Sequence, residues 1–306
     1  MKTITIHSLK ALLPMILWSG IVLSAEPENK NAAPPPATPG VQKRPASWYG
    51  PPPARKIVYK KIGERELTLH VFEPAGDATG KRPAIVFFHG GAWQIGDPDQ
   101  FYYQCDYLAK RGMWAASAEY RLTAPGAGVK IADIVLDAKD AVRYVRSHAE
   151  ELGIDPDRIA AAGGSAGGHL AAATAVVPEE NPPGTVSGKA NLLVLFNPAL
   201  FYPSAGKTVT LEQFTKDTPP AILFYGTKDE MLQYGTDCLA QARRLGFPLQ
   251  LFTAKDAGHS FFNDAPWRQL TLYESDRFLA RHGYLQGPPT VEPRPGKVLE
   301  EVKELP

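Results

Sequence analysis

A serine hydroxyl becomes a useful nucleophile when an imidazole takes its proton and a carboxylate orients that imidazole. This chain carries such groups in the order Ser165, Asp229, His259, each just past an apolar run. Ser165 is the centre of Gly163-Gly164-Ser165-Ala166-Gly167, a G-x-S-x-G pentapeptide between the short run 158–162 and a stretch of small residues. A nucleophile at the tip of a strand-to-helix turn needs such neighbours, because strand and helix must approach closely around it. Asp229 follows the apolar run 222–225 through Gly226-Thr227-Lys228, and His259 follows the run 249–252 inside Ala257-Gly258-His259-Ser260-Phe261-Phe262. Glu230 and Asp256 are rival carboxylates for the orienting role. Acyl transfer also needs donors for a developing oxyanion. His89-Gly90-Gly91-Ala92-Trp93 directly follows the run 84–88, and its N–H groups, with that of Ala166, are placed to supply them.

These groups must be held by regular elements. Runs at 57–59 and 67–72 around Gly63-Glu64-Arg65 read as an opening hairpin. Apolar strands at 84–88, 114–119, 158–162, 192–196, 222–225 and 249–252 then alternate with helices. The helices are expected at 99–110, 131–148, after Ser165, at 233–245 and at 267–281. This alternation predicts an α/β domain over residues 57–285, a mostly parallel twisted sheet with helices on both faces. Ligands of such sheets bind at the carboxyl ends of the strands, the end where Ser165, Asp229 and His259 fall.

With those motifs assembled, the chain resembles the α/β-hydrolase family. It is most similar to the branch allied to hormone-sensitive lipase and to acetyl- and feruloyl-type esterases. The resemblance rests on His89-Gly90-Gly91, Tyr120-Arg121-Leu122, Gly163 to Gly168, Gly226-Thr227-Lys228-Asp229 and Gly258-His259. It implies an α/β-hydrolase fold, with Ser165, Asp229 and His259 catalytic and the amides of Gly91, Ala92 and Ala166 as the oxyanion hole. One departure is Ala92, where the lipase-like branch usually has a third glycine. Its N–H serves equally if the backbone there avoids positive φ. Trp93 is a candidate substrate-binding residue, or an aromatic packed under the loop. His89 is expected to brace that loop, His169 to pack on the sheet or bond a polar neighbour, and Glu119-Tyr120-Arg121 to form a polar network below the site. The residues require no metal or other cofactor.

Only about two dozen residues, 197–220, separate two strands where relatives insert a cap, so any cap is small or absent. Phe201, Tyr202 and Phe214 there are either stacking surfaces for a sugar or a local cluster holding the loop down. The function that follows is an exported serine carboxylic ester hydrolase working through an acyl-enzyme. It would remove short acyl groups from a small ester or a polysaccharide. An amide hydrolase of peptidase or arylformamidase type and a silent binding module are the alternatives.

The ends of the chain differ from its body. Residues 1–25 carry Lys2, Lys10 and a short apolar run closing on Leu23-Ser24-Ala25, the pattern of a cleaved export signal or of a retained anchor. Cleavage would move the formal charge from +1 to −1, and a near-neutral protein without a basic stripe offers nucleic acid no footprint. No later run is long enough for stable membrane insertion. Residues 26–56 are a Pro-rich linker and 286–306 a tail, expected to be mobile, with a short helix through Leu299 and Val302 as the alternative. Cys105 and Cys238 are expected to be two buried free thiols. The pattern leaves the oligomeric state open.

Overall fold

The computed structural model describes residues 50–76, 80–179, 184–206, 208–293 and 296–304. The export signal read at 1–25 and residues 26–49 of the linker lie outside them. The sheet is built from strands β1 (Arg55–Ile62), β2 (Arg65–Phe72), β3 (Arg82–Phe88), β4 (Trp114–Ala118), β5 (Ile154–Gly164), β6 (Leu192–Phe196), β7 (Ala221–Gly226), β8 (Leu249–Ala254) and β9 (Leu299–Glu301). Their spatial order is β1-β2-β4-β3-β5-β6-β7-β8-β9. β1 and β2 form the expected hairpin, and β2 joins β4 antiparallel. From β4 through β3, β5, β6 and β7 to β8 every pairing is parallel, so these strands deliver their carboxyl ends to one rim.

Strand side chains alternate between two faces, and the core divides accordingly. Ala84, Val86 and Phe88 of β3 pack with helices α2 (Ile131–Ser147), α3 (Ala166–Val176) and α4 (Leu232–Leu245). Ile85 and Phe87 face the opposite layer, built on α1 (Tyr102–Lys110) and α5 (Trp267–Arg281). Helices on both faces explain why the parallel strands are continuous apolar runs rather than alternating ones. α3 is buried along its whole length, and its composition allows this: nothing in it exceeds His169 and Leu170 in size. Cys105 and Cys238 are buried and unpaired, one on each side of the sheet.

Two expectations shift. The strand before Ser165 starts at Ile154, four residues early: Ile154 pairs with Arg82 of β3, and Asp155-Pro156-Asp157 bulges out of the ladder before pairing resumes at Ile159. The tail read as mobile is not free: β9 adds to the sheet edge antiparallel to β8, and Arg243 donates to the carbonyls of Val302 and Lys303. Its apolar residues therefore serve a strand, not the short helix. That strand covers the backbone of β8, which would otherwise be an open edge. No helix among the described residues is long and apolar enough to cross a membrane.

The glycines of the pentapeptide are spacers. A Cβ on Gly167 would overlap the carbonyls of Phe88 and His89, and one on Gly163 would lie 2.7 Å from the Phe88 oxygen. Since the obstruction is backbone, no rotamer change relieves it. Gly167→Ala is expected to cost about 3 kcal/mol or more, the upper range for overpacking, read as a lowered urea midpoint. An unchanged midpoint would show that α3 and β3 are not in rigid contact.

Candidate active site

Ser165 stands between β5 and α3 with φ 52° and ψ −118°, a conformation L-residues avoid. It is clamped there: its N–H donates to Phe196 O (2.9 Å), and its carbonyl accepts from Ala199 N and His169 N (3.0 Å each). All six non-glycine residues with positive φ among those described, Ala92, Trp93, Ser165, Asn197, Asp256 and Ser260, lie in the loops at this rim. Such strain persists where the surrounding structure over-determines the backbone, and it concentrates at functional sites.

His259 is brought to Ser165 by two supports. Below it, Phe262 stacks against Phe196 (4.9 Å) and Phe101 (5.8 Å) and presses on Gly164, where a Cβ would strike its ring. Beside it, the loops after β7 and β8 are stitched by Lys228 N donating to Ala257 O (2.9 Å) and Asp256 N to Thr227 Oγ1 (2.8 Å). The result is a chain of hydrogen bonds. Ser165 Oγ lies 2.8 Å from His259 Nε2, and His259 Nδ1 lies 3.0 Å from Asp229 Oδ2. Asp229 is buried and its Oδ1 accepts from Met231 N (2.9 Å), so both its oxygens are engaged. An imidazole with a carboxylate on Nδ1 is held in the tautomer whose Nε2 accepts the serine proton. Of the rival carboxylates, Glu230 is exposed, and Asp256 pairs with Lys228 at 3.1 Å in solvent.

The loop after β3 runs alongside. A Cβ on Gly90 would come within 3.5 Å of Ser165 Cβ, so this backbone borders Ser165. Gly91, Ala92 and Trp93 have φ of 116°, 52° and 60°, a left-handed turn closed by Gln94 N and Ile95 N on Gly91 O (3.0 Å each). Closing it does not consume the amides of Gly91 and Ala92. The condition set for the Ala92 amide is thus not met, since its backbone lies at positive φ; the turn imposes that conformation, and the N–H takes no part in closing it. Ala166 opens α3, where the helix supplies no acceptor for its N–H.

His89 braces this loop as expected. Its Nδ1–H donates to Gly90 O (2.7 Å), its ring stacks on Tyr120 (4.2 Å), and the Tyr120 hydroxyl donates to His89 O (2.7 Å). The rest of Glu119-Tyr120-Arg121 works elsewhere: Glu119 bonds His70, and Arg121 forks onto Asp137 of α2. Two residues absent from the sequence reading complete the frame. Gly90 N donates to Gln100 Oε1 (2.6 Å), and Gln100 Nε2 donates to Asn263 Oδ1 (3.1 Å). They join the loop after β3 to the His259 loop although 163 residues separate them, and neither sits in a motif.

Trp93 and Phe214, offered as substrate surfaces, are 2% and 1% exposed. Trp93 packs edge-on to His169 under the loop and forms only part of the wall of a cavity of about 540 Å³, while Phe214 stacks on Phe247. Phe201 packs on Phe214 and on Tyr234 of α4, so these residues of segment 197–220 form a cluster that holds it to α4. Tyr202 remains available. With Pro203, Glu230, Met231 and Tyr234 it lines a second cavity of about 500 Å³ beside the Asp229 loop.

His89 and His169 are both buried, and burial holds their imidazoles neutral, down to about 4 and about 3 respectively. His169 Nε2 bonds Thr208 Oγ1 at 2.8 Å. Folded values below the unfolded value of 6.5 mean that the unfolded chain takes up these protons first. Stability is therefore complete above pH 6.5 and falls as pH drops towards 4, by up to about 1.4 kcal/mol per pH unit for each histidine. Thermal midpoints measured from pH 7 to 4 should show this fall, and His169→Phe should make it shallower. Parallel curves for the two proteins would refute the assignment to His169.

Comparison with known proteins places this geometry. The family described as BD-FAE matches residues 69–191. A probable isoprenylcysteine alpha-carbonyl methylesterase of Arabidopsis thaliana is 31% identical over 220 residues, 60% of this chain and 45% of the relative. Carboxylesterase NlhH of Mycobacterium tuberculosis is 32% identical over 160 residues, 50% of this chain and 44% of the relative. The chain thus spans less than half the length of these curated relatives. Among solved structures, the propionate-bound esterase 2 of Thermogutta terrifontis superposes with a TM-score of 0.72 at 39% identity, covering 77% of this chain and 97% of that one. The same enzyme phosphonylated by cyclosarin gives 0.71 at 40% identity, covering 76% and 96%.

Proposed function

Because the chain belongs to the α/β-hydrolase serine esterases, in the branch allied to hormone-sensitive lipase, we propose that it hydrolyses carboxylic esters through an acyl-enzyme on Ser165. The observation that carries this reading is the unbroken hydrogen-bond chain Ser165–His259–Asp229 at an accessible rim. His259 Nε2 takes the hydroxyl proton as Oγ attacks the ester carbonyl. The oxyanion is received by the amides of Gly91, Ala92 and Ala166, and Asp229 stabilises the imidazolium. His259 then protonates the leaving alkoxide. Water, deprotonated by the same nitrogen, releases the acid and restores Ser165.

The cavity of about 500 Å³ beside the Asp229 loop is the proposed seat of the alcohol part of the substrate. There the phenol rings of Tyr202 and Tyr234 offer flat faces and Glu230 a carboxylate acceptor, the complement of a hydroxyl-rich ring. A sugar ester is therefore the favoured substrate. The esterase 2 relative is described with propionate and with butyrate bound, which supports a short acyl group here. The pattern of residues 1–25 supports export.

The test compares p-nitrophenyl esters of rising acyl length with acetylated xylan, a feruloylated sugar and peptide amides. The expected result is highest kcat/KM at two to four acyl carbons (~, following the size of the bound acids), turnover of the sugar esters and none of the amides. Preference for long chains would reject the short-acyl reading, and amide turnover the esterase one.

A further inference from the structure

Asn197 is the last residue before Pro198 at the end of β6. It is wholly buried, with φ 35° and its N–H donating to Phe224 O (2.7 Å). Asn is among the few residues that tolerate this backbone region, and here its side chain has work of its own. Oδ1 accepts from Ser260 N (3.2 Å), the residue after His259. That bond settles which way the amide points, since the reverse orientation would set two donors against each other.

The NH₂ edge therefore faces the imidazole. Nδ2 is 3.3 Å from His259 Nε2 and 3.4 Å from Nδ1. A donor equally far from both nitrogens does not lie along either in-plane direction. Those directions are occupied by Ser165 Oγ and Asp229 Oδ2. The amide instead lies over the ring, as N–H groups do against π faces. The Ser260 peptide is also gripped from its other side, because Asn263 Nδ2 donates to Ser260 O (3.0 Å).

We propose that Asn197 is a positioning residue for catalysis. It anchors the chain just after His259 and backs one face of the imidazole, so that the ring keeps its aim while its proton is passed back and forth. The His259 side chain is 32% exposed, so burial alone does not hold the ring. This deepens the esterase reading and rests on it.

The test uses Asn197→Gly, which accepts the positive φ and deletes only the amide, and Asn197→Asp, which keeps an acceptor for Ser260 N but no donor over the ring. For p-nitrophenyl acetate, Asn197→Gly is expected to lower kcat by about 10²-fold, the scale of a displaced catalytic group, with KM and thermal midpoint near wild type. The low-field proton resonance of the Nδ1–H between His259 and Asp229 should broaden. If Asn197→Gly does not fold, Asn197→Asp decides: loss of kcat in folded protein supports the backing role, and full kcat overturns it. A folded Asn197→Gly protein within twofold of wild-type kcat and with an unchanged resonance also overturns it. Wild-type protein that neither turns over esters nor is labelled at Ser165 by a fluorophosphonate would instead defeat the esterase reading itself.

Discussion

Ser165→Ala is expected to reduce kcat on p-nitrophenyl acetate by roughly 10⁶-fold and to abolish labelling by a fluorophosphonate. His259→Ala should cost about as much, and the double variant little more. Oγ is worth little as a nucleophile unless Nε2, 2.8 Å away, removes its proton, so either deletion disables the pair. The residual activity, roughly 10³–10⁴ above water, would come from the loop amides and from substrate binding alone. Alanine accepts the Ser165 backbone no better than serine does, and the bonds to Phe196, Ala199 and His169 involve only main chain. The variant should therefore fold with a midpoint near wild type. Mass spectrometry of the labelled wild type should find the adduct on the peptide carrying Ser165. Activity in Ser165→Ala above a hundredth of wild type would place the nucleophile elsewhere.

Asp229→Asn is expected to lower kcat about 10⁴-fold while leaving the fold intact. An asparagine oxygen can still accept from Met231 N, but the other position then presents an NH₂ group to His259 Nδ1. Facing a donor, Nδ1 gives up its proton and the ring adopts the tautomer protonated at Nε2, which can no longer accept from Ser165. The loss also removes the charge that stabilises the imidazolium. Parallel substitutions Glu230→Gln and Asp256→Asn should change kcat less than tenfold, because neither carboxylate touches the imidazole. A large loss at Glu230 with a small one at Asp229 would reassign the acid.

The regular elements were legible because their physics is local. The central strands β3, β6 and β7 are largely apolar runs, and α2 spans Ile131 to Ser147, close to the span its amphipathic pattern implies. The motifs were legible too, since G-x-S-x-G and the loops bearing Asp229 and His259 each follow a strand whose end can be counted. The tail was misjudged. Three residues, Leu299 to Glu301, have no periodicity long enough to declare a strand, and β9 exists only because β8 offers an open edge. Trp93 and Phe214 were left between two readings for a similar reason: an aromatic in a loop reads alike whether it faces substrate or core.

What this sequence determined by itself is therefore the order of strands and helices, the rim at which three catalytic residue types must emerge, and the chemistry those types serve. Tertiary structure alone decided how Gln100 and Asn263 join two loops, and where Asn197 lies against the imidazole. Residue type and periodicity report a position's own backbone and burial, which neighbours in the chain largely set. Contacts across such separations depend on how loops close over the packed sheet, and no short stretch of sequence encodes that distance.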